Sequence, residues 1–347
     1  MKTHANIPIF IPHEGCQNAC VFCNQRTITG TGGSSDRDIV PEIEKALSTI
    51  PEGIETEIAF FGGSFTGIGI DKIIRLCDAA YSYVKRGKVK SVRLSTRPDY
   101  ISKEILEILK SRGVVHIELG IQSMVQKVLD ASKRGHTVTD TENACRLIKE
   151  YGFVLGGQMM LGLPKSSLEE ELYTAKKIVD LGCDEARIYP CVVFENTELC
   201  SLAKEGIYTP LTVEAAVTRG AKVLGIFKKA DINVLRIGLQ AQDNLNDESF
   251  VYAGANHPSL GEMIEARYFL NKILDDEQHI SSLARSGKRN ILTIFCSKSD
   301  VSKISGHNRQ NKKTLLEKFE KYGYCDIKIT GIDDYQKGKI SYSAKTI

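Results

Sequence analysis

Three cysteines stand close together near the start of the sequence: Cys16, Cys20 and Cys23, separated by three and then two residues. Thiolates at this spacing can each bind one iron of a cubane cluster, which leaves the fourth iron without a protein ligand. An iron left open in this way must complete its coordination from elsewhere. Two other readings stay open on the residues alone: a zinc site completed by His13, and three separately buried thiols. The other seven cysteines are scattered singly and are expected as small buried hydrophobes. The opening Met1-Lys2-Thr3-His4-Ala5-Asn6-Ile7-Pro8 is short and proline-broken for a secretory signal, and no apolar run approaches ~20 residues. A cytoplasmic, reducing location with no membrane partner is therefore expected, and clustered cysteines there read as metal or redox chemistry.

The triplet directly follows an expected strand at Ile7–Ile11, so it falls in a strand-end loop. Further strands are expected at Glu57–Phe61, Val89–Thr96, Val114–Ile121, Phe153–Leu161, Glu185–Val193 and Asn233–Leu239. Helical periods fill the intervals at Val40–Thr49, Asp71–Lys85, Ser102–Ser111, Thr139–Tyr151 and Ser167–Leu181, several ending just before a glycine. Such βα alternation builds a parallel sheet. In Val115-His116-Ile117-Glu118-Leu119-Gly120-Ile121-Gln122 the odd positions are all apolar and the even ones are not. The same split recurs around Arg93, Arg187 and Arg236. Period 2 puts the two sets on opposite faces. A doubly wound sheet would favour strands that are apolar throughout, whereas one polar face per strand fits a barrel, complete or partial, with helices outside and a polar lumen.

Other motifs follow in order. Phe60-Phe61-Gly62-Gly63-Ser64-Phe65 ends the second strand with a bare backbone. Then come Ser95-Thr96-Arg97-Pro98-Asp99-Tyr100, Glu118-Leu119-Gly120-Ile121-Gln122-Ser123, Met160-Leu161-Gly162-Leu163-Pro164, Ile188-Tyr189-Pro190, Gly206-Ile207-Tyr208-Thr209-Pro210 and His257-Pro258. With the triplet, and Phe22 before its third cysteine, these resemble the radical S-adenosylmethionine (SAM) superfamily. Within it they resemble the radical domain of the Elongator catalytic subunit, which modifies tRNA wobble uridines; oxygen-independent coproporphyrinogen oxidase shares the barrel motifs more distantly.

The resemblance implies an α/β fold, a partial (β/α)6 TIM-like barrel of the radical SAM type. It implies a 4Fe-4S cluster on Cys16, Cys20 and Cys23, and S-adenosyl-L-methionine cleaved reductively to a 5′-deoxyadenosyl radical that takes a hydrogen atom from substrate. Carried over by position, Phe22, Gly62, Gly63, Ser64, Ser95, Gln122, Arg134 and Gln158 would line the cofactor pocket, and an electron donor such as flavodoxin or ferredoxin would serve it. Gln122 has a warrant of its own, since period 2 places it on the polar face. The inward polar residues His116, Glu118, Arg187, Tyr189, Arg236 and Gln240 are the candidates for substrate contact. Ser95 stands where both families carry a carboxylate for the ribose, so Glu118 is expected to take over that contact. Residues 281–347 show no Gly-rich acetyl-CoA loop, and the complete Elongator reaction is not expected of this chain.

The 347 residues are 42% hydrophobic and 26% charged with a net charge of +3, which excludes both a histone-like polycation and an acidic disordered chain. The charge is uneven: residues 281–347 hold 14 Lys and Arg against 6 Asp and Glu. A radical barrel over residues 1–280 and a small basic α+β extension over 281–347 are expected, the latter a site for RNA (tRNA), with no DNA partner. Within it Leu315–Tyr322 forms an amphipathic run behind a basic segment, where Lys and Arg would meet phosphates and an exposed Tyr could stack a base. The competing readings are a radical enzyme for a tetrapyrrole or other small metabolite, and a non-catalytic cluster or zinc module that recognises RNA.

Overall fold

The computed structural model describes residues 4–11, 15–16, 20–23, 36–239 and 249–347. Strands β1 (His4–Ile11), β2 (Glu55–Gly62), β3 (Ser91–Thr96), β4 (Val114–Gln122), β5 (Val154–Leu161), β6 (Glu185–Pro190), β7 (Val192–Phe194) and β8 (Asn233–Ile237) lie in the first half of the fold. Seven of them form one sheet in the order β1-β2-β3-β4-β5-β6-β8, parallel throughout. The sheet is a curled half-barrel built from the seven strands read in the sequence. Among the described residues its two edges, β1 and β8, are not paired with each other, and β1 carries Pro8.

Alternation along each strand decides the faces. Ile117, Leu119 and Ile121 of β4 are fully buried under the outer helices, while His116 and Glu118 point the other way into the lumen. Crossover helices run over Val40–Leu47, Ile70–Lys85, Lys103–Lys110, Val138–Glu150 and Leu168–Asp180. Their starts are set locally: Ser102 accepts from the Ile105 N–H, and Thr137 and Ser167 each form a reciprocal capping box with the acid three residues on. The run expected as one strand over Glu185–Val193 breaks at Cys191. Pro190 offers no N–H to extend the ladder, and β7 leaves to pair antiparallel with β9 (Val251–Gly254).

The chain divides into two compact units, Met1–Thr212 with Ile226–Asn256, and Val213–Gly225 with His257–Ile347. The second unit thus begins upstream of residue 280. Its core explains why: Phe269, Leu270 and Ile273 of the helix Leu260–Asp275 pack with Leu292, Ile294 and Ile327 of the sheet, so packing rather than the change in charge sets the limit. That sheet joins β10 (Asn290–Ser297) at its centre to β11 (Tyr324–Ile332), parallel, and β12 (Ser341–Thr346), antiparallel. Leu315 and Phe319 of the amphipathic run are fully buried in this core, and the Tyr322 hydroxyl donates to Glu277 at 2.8 Å. That run is a packed helix, so its Tyr is not a free stacking platform.

Among the described residues, no helix is long and apolar enough to cross a membrane.

Candidate functional site

The cysteine segment is fixed by backbone bonds at the carboxyl ends of the strands. The Val21 N–H donates to the Ser132 carbonyl at 3.2 Å, the Leu199 N–H to Val21 at 2.9 Å, and the Cys23 N–H closes a turn on Cys20 at 3.0 Å. Phe22 packs beside Val21, Val128, Leu163 and Met160. Cys20 is buried; Cys16 and Cys23 are half-buried. Six of the remaining seven cysteines are buried and the seventh, Cys325, is half-buried; burial pushes the Cys77 and Cys191 thiols up to about 12.

The Gly62-Gly63-Ser64 turn presses on this segment. Gly63 N–H donates to the Ile11 carbonyl at 2.8 Å, and the Ser64 hydroxyl lies 3.4 Å from the Cys16 sulfur. A β-carbon on Gly15 would sit 2.0 Å from the Ser64 carbonyl oxygen, and one on Gly62, at φ +108°, 2.5 Å from that of Ile11. Gly15→Ala is therefore expected to push the two turns apart. Anaerobically reconstituted variant should carry substoichiometric iron by elemental analysis; iron equal to wild type would show that the approach is dispensable.

Two guanidinium groups converge on Cys20. Arg134 Nη1 donates to the Cys20 sulfur at 3.2 Å, and its Nη2 to the Gly120 carbonyl at 2.8 Å. Arg97 lies near enough to feel the Cys20 charge and is held in a two-pronged pair by Asp99 at 2.9 and 2.8 Å. Burial works against its charge, but Asp99 and Cys20 more than offset this and keep Arg97 above its usual range. His136 is buried behind them, and burial, then the charges of Arg134 and Arg97, push its pKa down to about 4, so the ring is neutral at pH 7. Gln122 stands at the end of β4, where a bulge shifts the register and its φ is +64°.

The same small volume collects unpaired polar atoms. Arg97 Nη1, Arg134 Nε and Gln122 Oε1 are buried with no partner in hydrogen-bond geometry among the described residues. Leaving one such group unmet costs roughly 1–3 kcal/mol, so a cluster of them marks a place built for a polar ligand. Sulfur donors, cationic N–H groups and an amide fit a cluster with an amino-acid-bearing cofactor beside it. The three cysteines, however, are not drawn tightly around one point: among the described residues no three His, Cys, Asp or Glu side chains could hold a single metal ion.

The substrate candidates fall lower in the lumen, in a different arrangement. Arg93 reaches Glu57, Glu118 and Glu185, each at 3.1 Å, from three strands. Arg187 forks onto Glu118 through Nε and, at 3.0 Å, through Nη2. His116 bridges Glu57 at 3.4 Å and Glu185 at 3.3 Å. Burial alone would raise Glu185, but His116 and Arg93 outweigh it and hold this carboxyl below its ordinary range. Gln158 donates to Ser95 and to Glu118, both at 3.2 Å, linking this floor to the level above. Glu118 is thus engaged on both oxygens and does not stand free beside Ser95. Tyr189 lies beside Arg187, with burial raising its pKa, and Arg236 sits opposite Arg187 on β8. Gln240 and His13 lie outside the described residues. Glu57, Arg93, Arg97, Glu185 and His136 were not singled out from the sequence, although Arg93 lies on the alternating polar face.

Residues 10–178 match the family model of the Radical SAM superfamily, and residues 183–269 match that of the Radical_SAM C-terminal domain. A tRNA uridine(34) acetyltransferase of Methanocaldococcus jannaschii is 34% identical over 182 residues, covering 46% of this chain and 34% of that protein. An uncharacterized protein of the same organism, MJ0486, is 31% identical over 218 residues, 60% of this chain and 66% of its own length. The solved structure of Methanocaldococcus infernus Elp3 with an N-terminal deletion superposes with a TM-score of 0.62 at 26% identity, covering 79% of this chain and 64% of that one. This chain therefore spans about a third of the acetyltransferase it matches and nearly two thirds of the Elp3 structure. Two consecutive domain matches on a curled parallel sheet, with the cysteine triplet at its strand ends, mean that the chain belongs to the radical SAM superfamily of enzymes and is homologous to Elp3.

Proposed function

We propose that this chain is a radical enzyme that modifies a nucleoside in RNA, with tRNA the favoured class. The observation that carries the radical reading is the set of buried, unpaired polar atoms on Arg97, Gln122 and Arg134, the last of which also donates to Cys20. Cys16, Cys20 and Cys23 would hold a 4Fe-4S cluster, and Gly62, Gly63, Ser64, Ser95, Gln122, Arg134 and Gln158 would receive S-adenosyl-L-methionine. When bound, these groups supply an electron and a sulfonium whose cleavage yields a 5′-deoxyadenosyl radical able to take a hydrogen atom from a C–H bond.

The residues supply orientation and shelter. Arg134 and Arg97 place positive charge where thiolate and carboxylate charge gather. The Gly62 and Gly63 backbone leaves room for close approach, and the packing of Phe22 with Val21, Val128 and Met160 keeps water from one side. The Arg93 network closes the lumen with charge already paired, so the reacting end lies above it. The RNA assignment is supported by the tRNA-modifying relatives' names and by the basic residues of 281–347. An electron donor of the flavodoxin or ferredoxin type and a cytoplasmic setting complete the proposal.

Reconstituted protein with dithionite should release 5′-deoxyadenosine, faster with bulk tRNA than without. Nucleosides from cells lacking the gene should miss one modified species by mass spectrometry. Release indifferent to RNA together with an unchanged nucleoside profile would move the substrate to a small metabolite. Arg134→Gln should weaken SAM binding by roughly 10- to 100-fold, the worth of a charge-assisted hydrogen bond, measured by calorimetry on reconstituted protein; an unchanged affinity would remove Arg134 from the pocket.

A further inference from the structure

The sheet of the second unit has helices on one face only. Leu292, Ile294, Ile327, Tyr342 and Ala344 turn into the core with Leu315 and Phe319. The alternate residues turn the other way, and the register fixes their neighbours: Ile291 lies between Asp326 and Lys345, Thr293 between Lys328 and Ser343, Phe295 between Thr330 and Ser341. Lys328, Thr330, Ser341, Ser343 and Lys345 are exposed, and Phe295 is half-buried at the centre of the row. A second aromatic reaches this face, since the Tyr335 hydroxyl donates to Ser341 Oγ at 2.7 Å, beside Phe295.

The charge on this face is one-sided. Lys328 and Lys345 form no ion pair among the described residues, while the one acid, Asp326, is neutralised by Lys312 at 3.0 Å and held below its usual range by that contact. The lysines flank the central strand from its two neighbours, Lys328 beside Thr293 and Lys345 beside Ile291. Phe295 stands two residues beyond the Lys328 row, half-buried between the small hydroxyl side chains of Thr330 and Ser341. An aromatic ring followed along the strand by cations suits unstacked bases joined by phosphates, because any base can stack and each phosphate can meet a lysine. A second copy of this chain is the poorer fit: the face is mostly Lys, Ser and Thr, and like charges would oppose each other.

We propose that the open face of β10, β11 and β12 binds a single-stranded segment of RNA, with bases on Phe295 and Tyr335 and phosphates on Lys328 and Lys345. This rests on the RNA reading above and places the contact on the sheet rather than on the amphipathic helix. The test uses the whole reconstituted chain and a fluorescent single-stranded RNA, with bulk tRNA as competitor, titrated at several salt concentrations. Phe295→Leu should weaken binding roughly 5- to 50-fold with the salt slope unchanged. The pair K328Q/K345Q should lower the log–log slope by about 1.4, while K313Q/K318Q on the helix-covered side should barely weaken binding. Melting curves matching wild type would show that the variants fold.

Wild-type binding that survives both face variants would overturn the sheet assignment and leave the RNA reading standing. No wild-type binding even at low salt would defeat both. A concentration-dependent dimer lost in Phe295→Leu, with RNA affinity unchanged, would assign the face to self-association and reject the proposal.

Discussion

Arg93→Met should destabilise the first unit by about 3–5 kcal/mol, the usual cost of removing one member of a buried ionic cluster. Arg93 is only 2% exposed and is the common partner of Glu57, Glu118 and Glu185, so its loss removes one buried cation from three carboxylates and leaves only Arg187 and His116 to balance them. Against a total stability of ~5–15 kcal/mol this is a large fraction. The deficit should depend on pH in a definite direction. In wild type the Glu185 carboxyl is held below its ordinary 4.5, so its contribution is present at neutral pH and is lost as pH falls below 4.5. In the variant Glu185 keeps only His116 against the burial that opposes its charge, so protonation relieves it at a higher pH than in wild type. The gap in melting temperature between the two proteins should therefore narrow from pH 7.5 to pH 5. A gap that is constant or widens would mean that Arg93 acts through packing alone. If the methionine variant does not fold, Arg93→Lys, which keeps the charge but loses the fork, should fall between.

Changing Cys16, Cys20 and Cys23 together to alanine should abolish iron and sulfide retention and bring 5′-deoxyadenosine formation to background. The effect should exceed that of any pocket substitution, since the pocket groups orient what the thiolates hold. Six of the other seven cysteines are buried, and burial raises several of their thiols, so they should not substitute for the triplet. Iron, acid-labile sulfide and visible absorption after anaerobic reconstitution are the readouts. Continued turnover in the triple variant would refute the cluster assignment.

Much of this could be read in the chain beforehand, for physical reasons that differ by region. The alternation in β4 and the glycines that follow several helices are local signals, and local signals survive folding. The triplet was legible because its members are close in sequence. The lumen floor was not, because Glu57, Arg93, Glu118 and Glu185 come from four strands and only register brings them together. Glu118 shows the consequence: its inward position was clear from period 2, but not that Arg93 and Arg187 already occupy it. His136 and Arg97 stood in plain view within quoted or neighbouring motifs, yet no spacing rule joins them to Cys20. The limits of the second unit were hidden because net charge marks solubility and partners, whereas the apolar face of Leu260–Asp275 decides where that core begins.

The unjoined strands β1 and β8 give the half-barrel a seam. For the proposed RNA substrate, a closed rim would force its flanking residues over the top of the barrel, whereas an unjoined pair of edge strands imposes no such rim among the described residues. Such edges leave rows of backbone donors and acceptors that invite stray strands. On the β1 border Pro8 withholds one donor from the outward row, blunting the edge against zippering with another chain.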